Sequence, residues 1–184
     1  TPVREALQRL EARGLLTVGA GRTLVVTQLN HTQVQDHYAM REILEGSAAR
    51  FAAQHASDAE VALLRRLHTD FMDAWNSPDR LVPLNGRFHQ AISDAAHTRY
   101  PSQTLKEMND AFALLQSNTF RIPNRPRESN AEHLRIVDAI AAHDPDRAER
   151  AAREHIRLAQ RTRFEHLAEV ASSNEAPLGK ARRS

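Results

Sequence analysis

Residues 133–155 read HLRIVDAIAAHDPDRAERAAREH, and this stretch decides the fold. In its first half His133, Ile136, Val137 and Ile140 recur at helical spacing and share one face. In its second half Ala148, Ala151, Ala152 and His155 do the same. Between them lies His143-Asp144-Pro145-Asp146, a turn in which proline ends one helix and suits the first turn of the next. Position 144 is midway between 133 and 155, so two antiparallel helices folding back there bring the two imidazoles level. A helical hairpin with an apolar inner face needs more helices to cover it, and the chain on either side provides them.

Working outward, a last helix is expected over about Asp146–Val170 and its partner over about Ser129–Ala142, preceded by an irregular link at Pro123-Asn124-Arg125-Pro126-Arg127. Upstream, a helix is expected from about Pro101 to Arg121. Another runs from about Arg80 to Ala96, with Pro83 tolerable in its first turn. Ser57-Asp58-Ala59-Glu60 has the form of a capping start for a helix through about Asn76, which Ser77-Pro78-Asp79 then breaks. A long helix from about Thr32 to Gln54 carries Val34, Tyr38, Ile43, Leu44, Ala48 and Phe51. These six helices, joined by short connections, are expected to form an antiparallel bundle.

The first thirty residues differ. Thr1-Pro2 opens a helix with an apolar stripe of Val3, Ala6, Leu7 and Leu10, and Gly14 stops it. Leu15–Val18 and Thr23–Thr27 are expected as short strands around a tip at Gly19-Ala20-Gly21. Helix plus hairpin is the C-terminal part of a winged helix. The expected organisation is thus a partial winged-helix DNA-binding domain at 1–29, an all-helical effector- and metal-binding domain at 30–170, and a basic, disordered tail at 171–184. The chain begins at Thr1 without methionine, so a preceding segment is expected.

Composition agrees with a mainly α class. Hydrophobic residues make up 41% of the 184 but aromatics only 5%, and there are six glycines, too few for a turn-rich β architecture. No apolar run is long enough to span a bilayer, so no membrane partner is expected. The chain has no cysteine, which excludes disulfides and thiolate metal sites and fits a cytoplasmic protein.

Three histidines on separate helices share a property: each lies on an apolar face. His133 and His155 do so as above, and His89 accompanies Asn85, Ile92 and Ala96. Buried imidazoles need partners. Three converging imidazoles with an amide oxygen make a plausible first shell for a divalent metal, zinc first, with nickel, manganese or iron as alternatives. Asn85, His89, His133 and His155 are the expected ligands. His31, His37, His55, His68, His97, His143 and His166 are read as surface or loop residues, and Phe71 and Trp75 as core or interface. No HExxH is present, no general base is expected beside the ligands, and Glu132 is expected to point away from them.

Thr1-Pro2-Val3-Arg4-Glu5-Ala6-Leu7, with Leu10-Glu11 and Gly14-Leu15, is similar to the recognition helix and wing of GntR-type regulators. Arg41-Glu42-Ile43-Leu44-Glu45 with Ala48-Ala49, Asn85-Gly86-Arg87-Phe88-His89, Glu132-His133 and Asp146-Arg147-Ala148 before His155 resembles the FCD ligand-binding domain of that family's FadR branch. The resemblance implies that the metal is held at Asn85, His89, His133 and His155. Many members carry Asp at the first of these, and the amide here is a neutral, weaker donor. It also implies that Arg41 faces an anionic effector. From the residues alone an ion pair with Glu45 across one helical turn is the preferred reading of Arg41.

DNA contacts are expected from Thr1 and Arg4 on the recognition helix and from Arg22 and Thr23 at the wing. The resemblance implies further helices before Thr1, without which operator binding would be poor. The function expected is a dimeric transcriptional regulator, not an enzyme, whose affinity for operator DNA responds to a small carboxylate bound beside the metal. A metal-dependent hydrolase and a metal sensor are the alternatives that use the same three histidines.

Overall fold

The computed structural model describes residues 2–112 and 118–174. Helix α1 (Pro2–Ala12) leads into a two-stranded antiparallel hairpin, β1 (Leu16–Val18) and β2 (Leu24–Val26), with Leu16 opposite Val26 and Val18 opposite Leu24. The hairpin tip is a 3-10 turn at Ala20–Arg22 in which Gly21 takes φ 73°, a left-handed conformation that costs glycine nothing. Gly14 does the same after α1, at φ 71°. The α1 stripe is uncovered: Val3 is 69% exposed, and Leu7 and Leu10 each 36%.

Six helices follow: α2 (His31–His55), α3 (Asp58–Asp73), α4 (Pro78–Ala95), α5 (Arg99–Phe112), α6 (Arg125–Ala141) and α7 (Pro145–Asn174). Local chemistry explains their starts. Asn30 and Gln33 form a reciprocal capping box at α2, and Ser57 and Glu60 form another at α3, each satisfying free N–H groups of the first turn. The α6–α7 reversal falls where expected, with His143 at φ 51° and Pro145 opening α7.

α7 lies along α2 and α6, while α3 packs on α4 and α6. The α2–α7 approach is close because small residues line it. A Cβ on Gly46 would sit 2.7 Å from Arg153 Cγ, and Ala49, Ala52, Ala53 and Ala148 are all fully buried. Larger side chains fill the other interfaces. Leu64, Phe71, Leu81 and Phe88 are at 0% exposure, and each contributes roughly 1.5–3 kcal/mol through removal from water.

Four expectations need correction. The helix expected to reach Arg121 does not, since Asn118 has extended backbone and Thr119–Arg121 is a separate 3-10 turn. α6 begins at Arg125, inside the stretch read as a link, because Pro126 is accommodated in the first turn and Asn124 supplies the reversal at φ 66°. α4 begins at Pro78, which leaves Pro83 beyond its first turn. Ile43, named among the apolar residues of α2, is 47% exposed, and the opposite side of the helix buries the charged Arg41 and Glu45. Of the tail expected at 171–184, residues 171–174 continue α7, while residues 175–184 and the DNA-contact candidate Thr1 lie outside the described residues.

Candidate metal centre

His89 on α4, His133 on α6 and His155 on α7 converge in the bundle. One ring nitrogen from each lies within 4.8 Å of the others. Ring centroids are 4.8 Å apart for His133 and His155, 5.0 Å for His89 and His155, and 5.5 Å for His89 and His133. The levelling of the two α6–α7 imidazoles about the turn is therefore seen directly. Asn85 lies one turn before His89 on α4 and is half-buried.

Two of the three rings are tied to carboxylates. His89 Nδ1 donates to Glu45 Oε2 at 2.6 Å, and His155 Nδ1 donates to Glu132 Oε2 at 2.6 Å. An ionised carboxylate only accepts, so each Nδ1 carries a proton, and in a neutral ring the Nε2 then presents a bare lone pair. Those two Nε2 atoms face each other at 3.2 Å. Two lone pairs at that distance repel unless something positive stands between them. Two ligand bonds of about 2.0–2.1 Å at a tetrahedral angle span about 3.3 Å, which matches.

His133 supplies the second test of fit. It is 0% exposed, and neither ring nitrogen finds a hydrogen-bond partner among the described residues. Its ring is held by stacking on Phe88, at 4.2 Å between centroids, and by an edge contact with Phe71 at 5.0 Å. A buried imidazole without a partner is costly, and a metal ion is the ligand that would satisfy it. The residues present fit a divalent metal.

The charges around the rings are paired. Arg41 binds Glu45 Oε1 through Nε at 2.7 Å and Nη2 at 2.6 Å. Arg125 forks onto Glu132, with Nη1 to Oε1 at 2.6 Å and Nη2 to Oε2 at 2.9 Å. All four side chains are at most 8% exposed. Burial raises the carboxyl pKa of Glu132, but the hydrogen bonds from His155 and Arg125 outweigh it and hold the group down at about 2. Burial acts likewise on Glu45, and Arg41 and His89 again reverse it, keeping that carboxyl well below its ordinary range. Burial drives the His155 imidazole down to about 4 against the pull of Glu132. Burial, with the charges His155 and His89 would carry, holds His133 well below its usual value. At neutral pH the cluster is therefore two carboxylates, two guanidiniums and imidazoles disposed to coordinate.

The sequence reading missed much of this shell. Glu132 was expected to point elsewhere; it does leave His133, but it reaches His155. Glu45 was considered only as a partner for Arg41. Carboxylates do stand beside the ligands, and the Arg41–Glu45 pair is buried rather than superficial. The one available signal was the i,i+4 spacing of an arginine and a glutamate on a helix otherwise rich in alanine.

Other expectations are met in part. Phe71 is core, whereas Trp75 is 43% exposed and carries the Arg127 guanidinium over its ring at 4.4 Å. His37 is half-buried in α2 rather than superficial, and burial together with Arg41 lowers its pKa to about 4. His55 and His143 clamp neighbouring segments through the carbonyls of Ala96 and Ala53, at 3.0 and 2.9 Å. Arg4 and Arg22 are exposed on α1 and at the wing tip, and Thr23 Oγ1 donates to Ala20 O at 3.0 Å.

Comparison with known proteins agrees with this geometry. The FCD domain family matches residues 36–158, which contain the whole cluster. The chain is 27% identical to the Glc operon transcriptional activator of Escherichia coli over 184 residues, covering 86% of this chain and 72% of that protein. It is 28% identical over 147 residues to the Nta operon transcriptional regulator of Aminobacter aminovorans, covering 79% and 69%. Among solved structures, E. coli McbR/YncC superposes with a TM-score of 0.80 at 18% identity, over 89% of this chain and 83% of that one. That last likeness concerns the fold alone.

Proposed function

This chain belongs to the FCD family of GntR-type transcriptional regulators, and from that premise we propose that it is a ligand-responsive repressor or activator controlled through its histidine cluster. In this reading the bundle holds a divalent metal, zinc first, on His89, His133 and His155, with Asn85 as a weaker oxygen donor. A small carboxylate binding beside the ion changes the affinity of a dimer for operator DNA. The relatives named above are regulators and not enzymes, so the hydrolase alternative is set aside. Among the described residues no helix is long and apolar enough to cross a membrane.

The observation that carries the metal reading is His133, buried with both nitrogens unpartnered beside two facing Nε2 atoms. The anion reading follows from charge. Arg41 and Arg125 cancel Glu45 and Glu132, and the neutral imidazoles and amide that metal coordination requires add no negative charge. A divalent ion added to this shell keeps its full charge in a buried place, which favours an anion in its remaining position. Arg41 reaches the cluster through Glu45, which supports assigning it to meet that anion.

DNA recognition is assigned to α1 and the wing, with Arg4 on the helix and Arg22 and Thr23 at the tip reaching bases or phosphates, and Thr1 at the helix start. Domain limits near residue 29 and residue 170 accompany this assignment. A differential affinity of the effector for one arrangement of the two DNA-binding heads suffices for control.

The test is an operator-binding titration of the whole gene product with zinc, with zinc plus a panel of small mono-, di- and hydroxycarboxylates, and with chelator. A carboxylate that shifts operator affinity only when metal is present supports the proposal, and Arg41→Ala should remove most of that shift. A response to zinc alone, unaffected by any carboxylate, would make the ion itself the signal. No response to either, on protein shown to contain metal, would leave the metal a structural role.

Residue 85 allows a separate check. Asn85→Asp replaces a neutral donor with a charged one and should tighten zinc binding in a chelator competition. Unchanged affinity would place residue 85 outside the shell.

A further inference from the structure

We propose that Glu45 and Glu132 are positioning residues that fix His89 and His155 in the Nδ1–H tautomer, so that both rings present a bare Nε2 to one ion. Arg41 and Arg125 hold the two carboxylates in the orientation this requires. The inference rests on the metal reading above and extends it to four residues outside the ligand set.

Geometry supports each link. Arg125 and Glu132 stand two turns apart on α6, and their fork leaves Glu132 Oε2 directed at α7, where His155 Nδ1 meets it at 2.6 Å. Arg41 and Glu45 stand one turn apart on α2, and Glu45 Oε2 is directed at α4, where His89 Nδ1 meets it at 2.6 Å. Each arrangement is an ion pair within one helix that sets the ring of a histidine on another. An unconstrained neutral imidazole favours protonation at Nε2, the nitrogen needed here as a ligand. A carboxylate at Nδ1 reverses that preference, orients the ring and makes Nε2 more basic.

The third histidine is held differently. His133 has no carboxylate, and its ring plane is set by Phe88 and Phe71. Its tautomer is therefore free to follow the ion, while those of His89 and His155 are set beforehand. The two carboxylates also keep their own charge balance through the arginines, so the shell is built without leaving a lone buried anion.

The experiment uses protein labelled with 15N in histidine. Long-range 1H–15N correlation spectra of the metal-free wild type should show Nδ1 protonated and Nε2 bare for His89 and His155, assigned by replacing each in turn with Gln. Zinc affinity is then measured by chelator competition in the wild type, Glu45→Gln and Glu132→Gln. Loss of an outer-shell partner typically weakens metal binding about 10–100-fold, and each variant should fall in that range. Glu132→Ala and Glu45→Ala should also shift the paired histidine toward Nε2–H.

A wild-type spectrum dominated by Nε2–H at both histidines would overturn the inference. So would glutamine variants that bind zinc as tightly as a zinc-binding wild type, which would leave the metal reading standing. A folded wild type that takes up no zinc at all would defeat the metal reading itself. Should a variant lose its helical circular dichroism, the wild-type tautomer pattern decides alone.

Discussion

Replacing His133 with Leu is expected to stabilise the metal-free protein and to abolish its response to metal. The two effects oppose each other because, in the proposed reading, the imidazole serves the ion at the expense of the fold. Its nitrogens are buried and unpartnered, and an unsatisfied buried polar group costs about 1–3 kcal/mol. Leu is close in volume and packs on Phe88 and Phe71 without that cost. It forfeits ring stacking worth about 0.5–1.5 kcal/mol, so the net gain should be about 1 kcal/mol. For a domain of this size that raises Tm by a few degrees.

Zinc should then raise the Tm of the wild type in a concentration-dependent manner and leave the variant unmoved. Loss of a direct ligand should weaken zinc binding by more than the roughly 100-fold upper range of outer-shell losses. Thermal unfolding of both proteins, with and without zinc, reads all of this together. A variant less stable than the metal-free wild type, or one that still responds to zinc, would show that His133 is a packing residue.

Arg125→Ala is expected to produce the largest loss of stability of any single substitution near the cluster. The guanidinium is 2% exposed and holds both oxygens of a carboxylate that is itself buried. Breaking a buried pair from one side leaves an uncompensated charge and typically costs about 3–5 kcal/mol. That is a large share of a total stability on the order of 5–15 kcal/mol, and it should lower Tm on the order of 10 °C. The double variant Arg125→Met with Glu132→Gln removes both charges and should recover much of the loss while still impairing metal binding. Urea unfolding should show a lower midpoint at unchanged slope for the single variant. A single-variant loss of well under about 1 kcal/mol would mean that Glu132 is solvated in a way its 3% exposure does not suggest.

The bundle was legible in the sequence because its signals are local. Helical spacing of His133, Ile136, Val137 and Ile140, a turn containing Pro145, and capping residues at Ser57 are read from a few neighbours at a time. The convergence of His89, His133 and His155 was also legible, since each histidine lies on an apolar face and the hairpin symmetry aligns two of them. The carboxylates were not. Glu132 follows from the rule that adjacent helical residues point about 100° apart, which is right, but α6 is packed by both α3 and α7. Both directions therefore lead into protein. Arg41 and Glu45 look the same in sequence whether their helix face is wet or buried, and only the tertiary packing of α2 against α4 and α7 decides it.

Arg125 was hidden for a different reason. Two prolines three residues apart read as a link, whereas the helix starts between them through the left-handed turn at Asn124. The three converging histidines are thus visible in the sequence, and the buried charged groups around them are not.

The central claim is that His89, His133 and His155 hold one divalent ion. It is tested most directly by an anomalous difference map recorded at the zinc edge from crystals of zinc-loaded protein. The account predicts a single strong peak within about 2.0–2.1 Å of one nitrogen from each of the three imidazoles, with Nε2 as the ligand atom of His89 and His155. A map with no peak at this position, or with zinc only at surface histidines such as His97, would contradict it.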